Sequence, residues 1–97
     1  MKELSFEWDD RKESTNRKKH GISFEEARTA FYDDNALVFF DPDHSDDEDR
    51  FILLGLSFRP QVVVVCQCFR ESESIVRLVS ARKADKGEEH EYWRQRR

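Results

Sequence analysis

Cysteine, proline and glycine are scarce in this 97-residue chain, at two, two and three residues. The longest apolar runs, such as Ala36 to Phe40 and Val62 to Cys66, are a few residues long. A helix that crosses a bilayer needs ~20 apolar residues, so the sequence excludes one and predicts no membrane association of that kind. The opening Met1-Lys2-Glu3-Leu4-Ser5 lacks the apolar core of a signal peptide. Cys66 and Cys68 are too close along a strand for a disulfide framework, and no second cysteine pair accompanies them to hold zinc. These features together predict a reducing, cytoplasmic location. Gly-rich phosphate loops and serine-nucleophile elbows are also missing, which removes the nucleotide-hydrolase and esterase readings.

What is present is charge and large rings. Charged residues make up 39%, hydrophobic residues 37% and aromatic residues 12%, a composition that predicts one folded domain over residues 1–97 with a thin, ring-filled core. The formal charge of -4 is unevenly spread. Residues 1–40 carry 7 basic and 9 acidic groups for -2, residues 41–49 carry 6 acids and no base for -6, and residues 50–97 carry 10 basic and 6 acidic groups for +4. A basic surface therefore remains compatible with the acidic pI of about 5.4.

The pattern of residues predicts an α+β fold. Leu4, Phe6 and Trp8 alternate with polar residues as in a short half-buried strand, and Asp9 or Asp10 can cap the helix that follows. Arg11 to His20 has no apolar residue and stops at Gly21, which predicts a polar, exposed helix. Ser23-Phe24-Glu25-Glu26 reads as a capping box, with Ile22 stapled against Ala27 and a second helix from Phe24 to Tyr32. Ala36 to Asp41, Arg50 to Phe58, Gln61 to Phe69 and Ser74 to Arg82 read as strands joined by short turns, including Arg59-Pro60 and Glu71-Ser72-Glu73, hence an antiparallel four-stranded meander. Val62 to Cys66, apolar on both faces, should be central. Ala84 to Arg96 closes the chain as a helix with Ala84, Glu88 and Tyr92 on one stripe.

The order of motifs resembles the BrnT family of toxin ribonucleases. It runs Phe6-Glu7-Trp8-Asp9, Asn16 with Lys19-His20-Gly21, Phe24-Glu25-Glu26-Ala27 with Phe31, Glu48-x-Arg50 with Gly55, Arg77 with Ser80-Ala81-Arg82, and Glu88 with Tyr92. The resemblance implies a RelE-like fold, RNA cleavage that arrests translation, and neutralisation by a BrnA-like antitoxin whose ribbon-helix-helix part binds DNA. Contact with DNA would then run only through the antitoxin. One departure is that Glu88 is followed by Glu89 and His90 where relatives usually carry arginine. That departure motivates the alternative, a catalytically weak partner-binding protein that acts through an antitoxin in DNA-linked autoregulation.

Metal-independent RNA cleavage needs a base for the 2′-hydroxyl, an acid for the 5′-oxygen and cations for the phosphate, with no cofactor. Lys19 and His20 fall at the C-terminus of the first helix, where the dipole favours a cation and suits His20 to donate a proton; simple helix capping is the plain alternative. Glu48 and Arg50 point to one face and can pair a base with a phosphate-binding cation, or form a surface ion pair. Arg77, between Val76 and Leu78, is costly in an apolar strand unless it faces a cleft or pairs with Glu48. Arg82, five residues on, reaches the same site only if the strand bends. Tyr92 can stack a base or donate a proton, or be a core tyrosine. Asp41-x-Asp43 with Asp46, Asp47, Glu48 and Asp49 lacks the sixth-position glycine and twelfth-position glutamate of a calcium loop, and reads as a solvated acidic loop.

Overall fold

The structure, a computed structural model, describes residues 4–44, 48–70 and 74–95. Asp46 and Asp47 of the acidic stretch, and the turn Glu71-Ser72-Glu73, lie outside the described residues. The first strand, β1 (Ser5–Glu7), leads into α1 (Asp10–His20). Asp9 caps α1 by accepting from the backbone N–H groups of Arg11 at 2.8 Å and Lys12 at 3.2 Å. Gly21 ends it in the left-handed region at φ 75°, where only glycine is free of strain. Asp10 and Glu13 in the first turn and Arg17, Lys18, Lys19 and His20 in the last complement the helix dipole. A single residue of α1, Asn16, is buried.

The second helical segment is shorter than its pattern predicts. It forms α2 (Phe24–Thr29) and tightens into a 3-10 turn over Ala30–Tyr32. Ser23 accepts from Glu26 N–H as an N-cap, but the reciprocal arm of the expected capping box is diverted. The buried Glu26 carboxylate accepts from Ser57 Oγ at 2.7 Å and Gln61 Nε2 at 2.6 Å, fastening α2 to a neighbouring hairpin loop. These bonds offset the cost of burying the carboxylate better than a solvated cap would.

The remaining strands are β2 (Leu37–Phe40), β3 (Arg50–Leu56), β4 (Val62–Arg70) and β5 (Ile75–Lys83), followed by α3 (Lys86–Arg94). Together they build one sheet in the order β1-β5-β4-β3-β2. The last four strands are the expected antiparallel meander with β4 central, and β1 adds a fifth strand parallel to β5, with Glu7 opposite Arg77. Leu53, Val63, Val65, Val76, Leu78 and Ala81 pack with Ile22, Phe24 and Ala27 of the α1–α2 layer. The opposite face puts Leu54, Val62 and Val64 under Tyr92 of α3. Gly55 is required by a close approach, because a Cβ there would lie 3.0 Å from the Ala30 carbonyl oxygen. The helix α3 is short and leaves much of its face of the sheet uncovered. Among the described residues, no helix is long and apolar enough to cross a membrane.

Candidate functional site

An extra residue in β5 shapes this open face. Gln67 of β4 lies opposite Leu78 and Cys66 opposite Ser80, so Val79 has no counterpart and bulges. The bulge shifts the side-chain alternation by one. Arg77 and Arg82, five apart, therefore share the face that carries α3, where a regular strand would have separated them. One cross-strand row there runs Arg50, Cys68, Arg77, and another runs Leu54, Val64, Arg82.

The bulge also borders two hollows. Val79 and Ser80 line one with Arg11, Lys12, Thr15, Lys19 and His20 of α1. They line the other with Asp41, Arg50, Cys66 and Arg82 on the sheet. Taken together as one groove, the two hollows carry Lys19 and His20 on the α1 side and Arg50 and Arg82 on the sheet side, with Val79 and Ser80 bordering both.

Several of these cations have carboxylate partners. Arg82 donates two bonds of 2.8 Å to the two oxygens of Glu88, a forked pair that lowers the Glu88 carboxyl below the ordinary glutamate value, chiefly through this bond. Glu88 also completes a capping box with Asp85, so one carboxylate fixes both the start of α3 and the direction of Arg82. Arg77 pairs with Glu7 of β1 at 3.0 Å, not with Glu48 as the structural alternative supposed. The parallel pairing of β1 with β5 places Glu7 opposite it, and the exposed Glu48 instead accepts from Cys68 Sγ at 3.1 Å. Burial first, and then that bond, push the Cys68 thiol up to about 11, and burial also raises Cys66. Both thiols stay protonated near neutral pH and are not nucleophiles.

Tyr92 is fully buried beneath α3 and its hydroxyl donates to Asp33, so the structure places it in the core and not on the groove. Conversely, Asp41 and Ser80 line the groove although the sequence reading gave neither a chemical role. Asp41 was hidden within the acidic stretch, and its place directly after an apolar strand was the available signal. Asn16 is the tether of the α1 bank: its amide donates to the Ile22 and Ala81 carbonyls and accepts from Ala81 N–H.

No curated protein sequence matches the chain. A crystal structure of the ribonuclease toxin BrnT from Brucella abortus is similar in fold, with a TM-score of 0.62 and 22% identity, covering 89% of this chain and 100% of that one. Residues 8–88 match the family model described as the ribonuclease toxin BrnT of type II toxin–antitoxin systems. That span takes in α1, the whole meander and the start of α3, and with it every groove residue named above. The chain therefore belongs to the BrnT family of type II ribonuclease toxins, an endoribonuclease class that acts with a cognate antitoxin.

Proposed function

We propose that the groove floored by Val79 and Ser80 is the RNA-cleavage site and that it works without a metal. The observation that carries this reading is the meeting, at one bulged residue, of the Lys19–His20 bank with the Arg50–Arg82 bank. A phosphate held between Lys19, Arg50 and Arg82 has cations on both sides, which suits the charge that develops on its oxygens during transfer. Glu48, beside Arg50 and held by the Cys68 thiol, takes the proton of the 2′-hydroxyl. The 2′-oxygen then bonds to phosphorus, the bond from phosphorus to the 5′-oxygen breaks, and His20 gives that oxygen its proton. The products are a cyclic phosphate and a free 5′-hydroxyl. Arg77, beyond Arg50 in the same row and already paired with Glu7, attracts the RNA backbone from outside the groove. Tyr92 holds α3 in place through Asp33.

The same reading takes the partner to be a BrnA-like antitoxin with a ribbon-helix-helix part, DNA contact to be indirect, and the setting to be the cytoplasm. Cleavage would arrest translation. Family membership favours this ribonuclease over a catalytically weak binding protein. Purified protein incubated with RNA in excess EDTA tests it: cleavage that the cognate antitoxin abolishes is expected, and intact RNA at high protein concentration would overturn it.

A further inference from the structure

Among the described residues, the strand β2 forms one margin of the sheet and has a neighbour on one side only, β3. Its residues Val38, Phe39 and Phe40 are 54%, 48% and 51% exposed, so apolar surface lies bare on both faces of an open edge. Open, apolar edges are liabilities that folded proteins normally blunt with charge, proline or a covering element. The hydrogen-bond phase shows which groups are on offer. Asp41 N–H donates to the Arg50 carbonyl at 2.9 Å; in an antiparallel ladder, alternate residues turn the same way, so Phe39 and Leu37 also turn toward β3. The N–H and C=O groups of Val38 and Phe40 therefore point outward.

Charge selects the occupant. Residues 33–49 contain eight acids and no lysine or arginine, and exposed Asp34 before the edge and exposed Asp43 after it bracket it. A second copy of this strand, paired in either direction, would set aspartates against aspartates. A chain with basic residues flanking short apolar ones would find complementary charge at both ends. Phe39 also opens onto an apolar hollow with Ile52, Leu54 and Val64, edged by Asp85, Glu88 and Glu91 of α3. Ile52 and Val64 border the groove as well, so this hollow adjoins it.

We propose that the outer edge of β2 is where the antitoxin binds, by adding an extended, basic, partly apolar segment as a sixth strand. This rests on the toxin reading above, since it needs a cognate antitoxin, but the site on β2 is tested separately from RNA cleavage. The probe is the purified cognate antitoxin, titrated by calorimetry against the parental chain, two test variants and, for comparison, Phe39→Asp. Val38→Pro removes an outward N–H and leaves the bonds to β3 intact. The double change Asp34→Lys with Asp43→Lys reverses the flanking charge without touching the strand. Each is expected to weaken antitoxin binding by about tenfold or more, and both should cleave RNA at the parental rate when unbound. Parental affinity in both variants would overturn the proposal. So would weakening by Phe39→Asp alone, which would place a helix in the hollow, or an antitoxin-free dimer that Val38→Pro dissolves. If the parental chain fails to cleave RNA but Val38→Pro still loses the antitoxin, the catalytic reading fails and the docking edge stands.

Discussion

Asn16 and Ala81, 65 residues apart, exchange two hydrogen bonds: the Asn16 amide donates to the Ala81 carbonyl at 2.8 Å, and the Ala81 N–H donates to Asn16 Oδ1 at 3.1 Å. The side chain imitates a strand edge and fixes a helix that has no apolar face to the sheet beside Ser80. Asn16→Ala leaves Ala81 N–H unpaired in the interior, and an unsatisfied buried group costs about 1–3 kcal/mol. We expect a loss of about 2 kcal/mol in urea unfolding. RNA cleavage should also fall at temperatures where the variant is folded, because Lys19 and His20 lose their anchorage.

Gln67 is wholly buried on the helix-covered face between Phe51 and Leu78 of the flanking strands, and neither polar atom of its amide has a hydrogen-bond partner among the described residues. Gln67→Met, close in volume and without the amide, should raise stability by about 1 kcal/mol. A lower urea midpoint would show that the amide is needed.

Acid should destabilise the domain in part through Glu88. Its carboxyl in the folded state lies below the ordinary value of 4.5, mainly because Arg82 donates to it. The folded state therefore holds its proton less tightly than the unfolded chain, so the stabilisation is complete above pH 4.5 and is lost as pH falls through the lower folded value. Glu13, lowered chiefly by Arg17, adds in the same direction. Urea midpoints of Glu88→Gln should be lower than parental near neutrality and should converge toward the parental values below pH 4.5. A constant difference down to pH 2 would refute the linkage.

Arg77 separates steering from structure. Its pair with Glu7 is partly solvated, the two side chains being 31% and 39% exposed, so Arg77→Ala should cost at most about 1 kcal/mol of stability. A sealed pair with Glu48 would have cost about 3–5 kcal/mol. RNA affinity should fall, and the slope of its logarithm against log salt should shrink by about 0.7, the share of one single-stranded phosphate. An unchanged slope would remove Arg77 from the RNA path.

Periodicity and punctuation made the elements legible: Gly21 stops α1, and the two-faced apolar run of β4 marks the centre of the sheet. The site was harder to read because it depends on a register shift. Val79 is an ordinary strand residue, with no glycine or proline to announce a bulge, and the spacing of Arg77 and Arg82 argued against a shared face until pairing with β4 was known. Long-range partners were equally hidden. Arg77 turned to Glu7 through a parallel pairing that no local pattern encodes, whereas the three-residue separation of Asp85 and Glu88 is a local capping-box signal that the expected helix from Ala84 passed over.

In the proposed site, α1 and the sheet act on one phosphate across Val79. Single-turnover RNA cleavage in EDTA by His20→Ala and Arg50→Ala, one from each bank, is the deciding measurement. Each should lose about 10²–10³ in rate, as expected when one group that meets the transition state is removed, with urea unfolding close to parental. Parental rates in both folded variants would refute a site shared by α1 and the sheet.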